Sequence, residues 1–305
     1  MAPKLGGPLI LLSPAKSLNF EAPLSRALAA TTATQPQFLS QARELTAAAA
    51  ALSKSDLKSL MGLSDSLAAL NHARFSDFES QPSRMAIGAF EGQAYKGLSA
   101  ATLAESELGY LQRSLRVLCG LYGVLRPYDE IRPYRMEMST RMSCGASGNL
   151  YAYWGSQITD SLNSELDAIA DSDAKFVLNI ASQEYAKSVS FPQLRAPVIT
   201  VNFPGPAVHA KTARGEMARF CAERSVCSAE QLKQFTGSKG EWRFVPSASS
   251  DATLVFHRGP ASAAAPSAPA TKGKAAAAAA IAPKARGAKR EADGGAAPPA
   301  RKARR

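Results

Sequence analysis

The chain has 305 residues, of which 46% are hydrophobic and 20% charged, the balance of an ordinary globular protein that buries a large core. No stretch approaches the roughly 20 apolar residues that span a bilayer, and the apolar run at 8–12 is too short for a secretory signal. This composition argues against membrane and secreted proteins, and we expect an intracellular protein that makes no membrane contact.

The formal net charge of +11 is unevenly divided along the chain. From Gly259 onward the composition changes to Ala, Pro, Gly, Lys and Arg, and ten basic against two acidic residues give this segment +8, which leaves +3 for the rest. The segment has one large aliphatic residue, Ile281, and no aromatic one. Such a segment cannot offset the entropy of ordering its backbone. The sequence therefore predicts one globular domain at 1–258 and a disordered basic tail at 259–305.

Standard catalytic and metal-binding patterns are missing from the sequence. The four cysteines form no Cys-x-x-Cys pair and the three histidines are dispersed, so we predict neither a disulfide framework nor a metal site. No glycine-rich phosphate loop or dinucleotide fingerprint is present, and we expect no cofactor. Ser13 and Lys16 match the Ser-x-x-Lys pattern of acyl-transferring enzymes, but the companion motifs of those enzymes are missing.

The predicted elements of the first half are one strand and three helices. The apolar run 8–13 is typical of a strand buried on both faces. A helix should follow the cap residue Ser55, and a second should open at Ser106, place leucines 108, 111, 115 and 118 inward and stop at Gly120. A third is expected at about 149–170. The first of these helices has a leucine stripe that we expect in the core: Leu57, Leu60, Leu63, Leu67 and Leu70.

The second half is predicted to supply further strands and one helix. Residues 175–180 read as another buried strand, and shorter strands are expected at 198–203, 242–245 and 254–257. A helix should lie at about 210–224. Because the helices do not alternate regularly with the strands, we predict an α+β fold with a single mixed domain.

Two of the predicted buried strands end in polar clusters, at 13–17 and at 179–187. Ligands of open sheets bind beyond the carboxyl ends of strands, where side chains and free amides of neighbouring loops converge. This rule makes a binding site at both clusters a hypothesis. Ordinary capping of the following helices by Ser and Asn is an equally good interpretation. The candidate residues of these clusters are Ser13, Lys16, Asn179, Ser182 and Lys187.

The segment 118–135 combines a glycine turn with Arg126, Arg132 and Arg135, which prolines and tyrosines separate. Glycine turns let backbone amides approach a phosphate, and rigid prolines fix the direction of the guanidinium groups. The segment is therefore a candidate phosphate-binding loop. Alternatively, its arginines pair with the carboxylates of this region, which are Asp129, Glu130 and Glu137.

A second basic cluster contains Lys211, Arg214 and Arg219 of the predicted helix at 210–224. Lys211 and Arg214 share one face of this helix and would occupy its first turn. Cations at that end oppose the helix dipole, which points to another role for them, such as binding an anion. The alternative is pairing with Glu216 or Glu223.

In chain order, eight segments resemble the YaaA family of peroxide-stress resistance proteins. These segments are 13–17 (SPAKS), 73–75 (ARF), 89–98 (AFEGQAYKGL), 120–127 (GLYGVLRP), 133–138 (PYRMEM), 151–154 (YAYW), 179–185 (NIASQEY) and 210–220 (AKTARGEMARF). The resemblance spans 8–258. It implies a mixed α/β fold with a positively charged cleft, a helix-hairpin-helix-like element, and a DNA-binding protein that limits iron-driven oxidative damage. The turn 120–123 is where we expect the hairpin.

The resemblance makes a monomeric DNA-binding protein of hydroperoxide defence the leading hypothesis, with duplex or branched DNA as its partner. An enzyme is the less favoured alternative. It would process a nucleobase or DNA lesion with Lys16 or Lys187 as nucleophile, while Asp129 or Glu184 moves protons. A third hypothesis is an iron-handling protein, but the sequence contains no spacing of Asp, Glu or Cys residues that is typical of iron ligands. The residues expected to line the phosphate-binding cleft are Ser13, Lys16, Arg126, Arg132, Arg135, Asn179, Ser182, Lys187, Lys211 and Arg214.

The tail also carries two basic clusters that resemble a bipartite nuclear-import signal. We therefore predict a nuclear import receptor as a further partner and a nuclear location, with the cytoplasm as the alternative. The tail should also add salt-sensitive DNA affinity that is independent of sequence. The residues of the predicted signal are Lys289, Arg290, Arg301, Lys302, Arg304 and Arg305.

Overall fold

A computed structural model of the chain describes residues 7–169 and 175–260. Nearly all of the tail predicted to be disordered, including every residue of the predicted import signal, lies outside the described residues. Within the described part, no helix is both long and apolar enough to cross a membrane.

The strands and helices are short and interleaved along the chain. The strands are β1 Leu9–Leu12, β2 Ser17–Leu18, β3 Arg84–Met85, β4 Phe90–Glu91, β5 Leu115–Cys119, β6 Gly123–Leu125, β7 Glu130–Ile131, β8 Val177–Asn179, β9 Val198–Asn202, β10 Trp242–Phe244 and β11 Thr253–Arg258. The helices are α1 Arg26–Ala29, α2 Leu39–Ala50, α3 Lys54–Met61, α4 Asp65–Ser76, α5 Ala86–Ala89, α6 Gln93–Leu98, α7 Glu105–Ser114, α8 Leu150–Trp154, α9 Gln157–Asp167, α10 Gln183–Ala186, α11 Ala207–Arg224 and α12 Ala229–Leu232.

A seven-stranded sheet organises the domain, in the order β10-β11-β9-β8-β1-β5-β6. The five inner strands are parallel, and β10 and β6 pair antiparallel at the two edges. Every residue of β1 is buried, as expected of a strand covered on both faces. Strand predictions at 8–13, 175–180, 198–203, 242–245 and 254–257 are confirmed. The architecture is a single mixed α/β domain with a mostly parallel sheet.

The predicted helix 106–120 is wrong in its second half. Helix α7 ends at Ser114, and Leu115 to Cys119 form β5, where Ile10 of β1 faces Leu115. The leucine spacing suits a helical face, but the run 115–119 is apolar except for Arg116, and pairing with β1 decides its structure. Arg116 is buried in this strand because Glu165 and three backbone carbonyls accept its hydrogen bonds.

Two further predicted helices are each divided at a glycine. Gly62, with φ of 60°, ends α3, and α4 begins after the cap Ser64, so Leu67 and Leu70 are 37% and 44% exposed. The prediction that both leucines lie in the core is therefore wrong. The helix expected at 149–170 is likewise interrupted at Gly155, with φ of 47°, between α8 and α9.

The turn 120–123 joins two strands, β5 and β6, and not two helices. The placement of the predicted helix-hairpin-helix-like element at this turn is therefore wrong. Gly123 has a φ of 67°, and its Cα faces the indole ring of Trp154, where a Cβ would lie 2.7 Å from a ring carbon. The Trp154 Nε1 donates to the Gly120 carbonyl at 2.9 Å. These glycines thus serve the packing of α8 against the sheet.

Candidate functional site

A cavity of about 300 Å³ lies at the carboxyl ends of β1 and β8. Its walls come from the loop after β1, the start of α6, the start of α10 and one face of α11. It brings together five of the residues predicted from sequence: Ser13, Lys16, Ser182, Lys211 and Arg214. A larger depression of about 520 Å³ beside α4 contains none of the predicted residues. The smaller cavity is therefore the candidate site.

Hydrogen bonds fix the floor of the cavity. The Ser182 amide donates to Ser13 Oγ at 2.8 Å, and Ser13 Oγ donates to Ser182 Oγ at 3.3 Å. The Tyr95 hydroxyl donates to the Ser13 carbonyl at 3.2 Å, and burial raises the pKa of Tyr95 well above its usual range, so this donor stays protonated. The ends of β1, α6 and α10 are thereby joined at Ser13.

A close crossing of α6 and α11 sets the position of the basic wall. At Gly215 a Cβ would lie 1.6 Å from the Ala94 carbonyl oxygen, and at Gly97 it would lie 2.2 Å from the Thr212 carbonyl oxygen. Neither position has room for any side chain. Backbone therefore packs directly on backbone, which holds one face of α11 beside the residues that begin α6.

Lys211 and Arg214 form the basic wall of the cavity and have no ion-pair partner among the described residues. Arg214 Nε is buried without a hydrogen-bond acceptor, and burial lowers the pKa of its guanidinium. The two carboxylates that the sequence offered as partners are engaged elsewhere: Glu223 with Arg219, and Glu216 with Ser238. Helix α11 begins at Ala207, so both cations lie beyond its first turn and the dipole argument made from the sequence is wrong. The case for an anion rests instead on the missing partners.

Lys16 lines the same cavity but is paired. Its Nζ lies 2.9 Å from Glu137 Oε2, and Arg135 Nε lies 3.3 Å from Glu137 Oε1. Arg135 is thus linked to the margin of the cavity through a shared carboxylate. One carboxylate, that of Glu137, thus partly neutralises the positive charges of Lys16 and Arg135.

Arg126 and Arg132 lie outside the cavity. Arg126 forms an ion pair with the buried Asp129 at 3.2 Å, and Arg132 lies 3.3 Å from Glu79, with its guanidinium 5.4 Å from the centre of the Phe78 ring. The alternative given from the sequence is thus present in part: Asp129 and Glu137 pair with arginines of this segment as expected, whereas Arg132 pairs with Glu79 from outside it. Their role in phosphate binding stays a prediction.

Asn179 and Lys187 also lie outside the cavity lining. The Asn179 side chain is buried, accepts from the Ala181 amide at 3.1 Å and donates to Thr200 Oγ1 at 3.2 Å, which is local capping. Lys187 is exposed at the end of α10. Of the two lysines that a lesion-processing enzyme would use, only Lys16 has access to the cavity.

Several lining residues received no role from the sequence. Glu91, Gln93 and Tyr95 come from the segment 89–98, and Tyr185 follows the second polar cluster. Glu184, to which the enzyme hypothesis gave a proton-moving role, also lines the cavity, and its Oε1 accepts from the amide and hydroxyl of Ser139, at 3.2 and 2.8 Å. Gly97, which packs against α11, was the sequence feature that could have drawn attention to the segment 89–98.

Across the described ranges, no three His, Cys, Asp or Glu side chains come close enough to hold a metal ion.

The chain is similar to several bacterial UPF0246 proteins. The protein of Aliivibrio fischeri strain MJ11 is 42% identical over 262 residues, which cover 82% of this chain and 98% of the relative. Relatives from Burkholderia cenocepacia and Delftia acidovorans are each 41% identical over the same length and coverage.

These relatives overturn the predicted nuclear location. They come from bacteria, which have no nucleus, so the two basic clusters of the tail do not act as a nuclear address. The import receptor proposed as a partner depended on that location. The cytoplasm, given as the alternative, fits these relatives better.

A family model described as "Peroxide stress protein YaaA" matches residues 9–248. This range includes the whole cavity and all but the last of the parallel strands of the central sheet. It agrees with the resemblance carried by the eight segments. The chain belongs to the YaaA family of peroxide stress proteins.

Proposed function

We propose that this protein binds DNA during the cellular response to hydroperoxides, and that cations of the cavity contact phosphate groups. The observation that supports this most is the unpaired Lys211 and Arg214 in a concave site. A buried guanidinium Nε without an acceptor costs stability, and a phosphate oxygen would supply the acceptor that it lacks. The link to peroxide stress comes from the family.

The surrounding groups also suit a phosphate. The hydroxyl groups of Ser13 and Ser182 lie at the floor of the cavity, where a hydroxyl donates to an anionic oxygen as readily as to its neighbour. Lys16 adds a further ammonium group, which Glu137 holds in the wall. A cation pair backed by hydroxyl groups therefore supports phosphate binding.

The test is an anisotropy titration of labelled duplex, bubble and branched DNA over a series of salt concentrations. Since segment 259–305 carries +8 of the net charge, the titration uses both the full chain and a chain that ends at residue 260. We expect binding by both, with a contribution of the domain that weakens steeply as salt rises.

A double variant, Lys211→Ala with Arg214→Ala, should weaken binding by the shorter chain at least tenfold. It should also reduce the slope of log affinity against log salt by about 1.8, the value for two lost phosphate contacts. The matched control is Arg43→Ala with Arg195→Ala, which removes the same charge from exposed ion pairs elsewhere. Equal losses in the two double variants, or no binding by the shorter chain, would refute the proposal.

A further inference from the structure

The cavity contains carboxylates as well as cations. Glu91 and Glu184 line it from β4 and α10, and neither forms an ion pair with a described residue. Lys211 and Arg214 are unpaired in the same cavity. Unpaired groups of both signs within about 300 Å³ favour a ligand that carries an anion and a hydrogen-bond donor on one small framework.

The size of the cavity limits the ligand further. About 300 Å³ is at the lower end of sites for small molecules. A double helix cannot enter such a space, since its major groove alone is about 12 Å wide. One nucleotide, or a piece of comparable size, is the largest unit that can be enclosed. The duplex would remain at the rim while a single unit enters.

The polar groups of the cavity indicate which ligand of this size would bind. A guanidinium and an ammonium side by side match a phosphate dianion better than a single carboxylate charge. Glu184 has one carboxylate oxygen bound by Ser139, and its second oxygen is free to accept a hydrogen bond. Exocyclic amino groups of nucleobases are donors of this kind.

We infer that the cavity binds one nucleoside monophosphate unit, with its phosphate on Lys211 and Arg214 and the amino group of its base donating to Glu184. The inference rests on the proposed function in one respect, because an unpaired nucleotide turned out of DNA is one source of this unit. A free nucleotide is the other source. Both present the same chemistry to the cavity.

The first arm of the test uses free nucleotides and the full chain. Calorimetry should show binding of dAMP and dCMP, and at least tenfold weaker binding of dTMP, whose base has no exocyclic amino group. Inorganic phosphate should bind more weakly than dAMP. Glu184→Gln should reduce the preference over dTMP to less than threefold. Because Glu184 also holds Ser139, Glu91→Gln is measured beside it as a second carboxylate variant that leaves this hydrogen bond intact.

The second arm uses duplex DNA with a single mismatched 2-aminopurine, whose fluorescence rises when the base leaves the stack. We expect a rise of severalfold with the full chain, a loss of that rise in Lys211→Ala with Arg214→Ala, and its retention in Arg43→Ala with Arg195→Ala. A fluorescence rise without binding of free nucleotides supports DNA as the source. Binding of free nucleotides without the rise supports the free source.

The failures of the two proposals are distinguishable. If the protein binds DNA but neither binds free nucleotides nor changes the fluorescence, the nucleotide inference is overturned and the proposed function stands. If free nucleotides bind with the expected preference and DNA does not, the proposed function fails and the ligand chemistry stands. Equal affinity for dAMP, dTMP and inorganic phosphate would also overturn the inference, since the base would then contribute nothing.

Discussion

Two basic regions of this protein differ in what surrounds their charges. In the segment 126–135, each of the three arginines lies within 3.3 Å of a carboxylate: Arg126 of Asp129, Arg132 of Glu79 and Arg135 of Glu137. Lys211 and Arg214 of α11 have no such partner among the described residues. The arginines of the dense run are thus held by carboxylates within the protein, while two cations at ordinary density have no partner in the described part of the chain. The density of basic residues in the sequence therefore does not tell which cations are free.

The largest loss of stability is expected at the crossing of α6 and α11, which holds the unpaired Lys211 and Arg214 in place. Gly215→Ala places a Cβ 1.6 Å from a backbone oxygen of α6, so the helices must separate. We expect a loss of about 3 kcal/mol or more in the free energy of unfolding, measured by urea denaturation. Gly148→Ala is the control, because a Cβ there meets nothing within 4 Å. Equal stability of the two variants would show that the crossing has no such role.

A smaller loss of stability is expected from the paired region. Arg126→Ala removes the guanidinium partner of the buried Asp129, which keeps only the Thr34 hydroxyl and the amide of residue 126 as donors. The free energy of unfolding should fall by about 1–3 kcal/mol. DNA affinity should stay within twofold of that of the unmodified chain. A large loss of affinity with unchanged stability would instead make this loop part of the binding surface.

Replacing a cation that has no ion-pair partner among the described residues should have the opposite effect: stability should be kept while DNA affinity falls. Arg214→Met keeps the apolar stem of the side chain and removes the buried Nε that lacks an acceptor. We expect the free energy of unfolding to stay equal or rise by up to about 1 kcal/mol, while DNA affinity falls. Thermal unfolding and the anisotropy titration check the two halves of this expectation. A marked destabilisation would mean that Arg214 has a structural role.

The smallest change in stability is expected at Glu216, an acidic residue with one carboxylate oxygen that has no hydrogen-bond donor within the described ranges. Glu216 Oε2 is buried without a donor, and a Cβ at Gly237 would lie 3.2 Å from it and 2.9 Å from Glu241 Oε2. Glu216→Gln would place an amide donor near the neighbouring carboxylate, so the free energy of unfolding should rise by about 1 kcal/mol. Glu223→Gln, at an exposed pair with Arg219, is the control and should change stability by less than about 0.5 kcal/mol. A lower melting temperature for Glu216→Gln would contradict this reading of the cluster.

The sequence predicted the parts of the fold that depend on uninterrupted apolar runs. Strand β1 and most of the later strands follow from such runs, because the inner strands of a parallel sheet are covered on both faces. Strand β5 was missed because its leucines also continue the helical spacing of α7. Only contact with β1 distinguishes the two structures, and that contact involves residues more than a hundred positions away.

The site was predicted in part for the same kind of reason. Ser13 and Ser182 follow strands whose parallel pairing brings their ends together, so a rule about strand ends was sufficient. Glu91 and Tyr95 reach the cavity through the pairing of β4 with β2 and through the crossing at Gly97 and Gly215, which are contacts between segments far apart in the chain. Arg126 and Arg132 were expected to line the cleft but lie outside the cavity, and the partner of Arg126, Asp129, stands only three positions away in the sequence.

The position of β1 in the sheet has a consequence for how the chain folds. This strand precedes the other described strands in the chain, yet its two neighbours begin at Leu115 and Val177. Four consecutive aliphatic side chains, Leu9 to Leu12, must therefore wait without their final partners until well over half of the chain has emerged. Sheets closed by such distant pairings form slowly, and the exposed strand is prone to aggregate in the meantime. We therefore expect this protein to fold more efficiently when β1 is protected until β8 has been made.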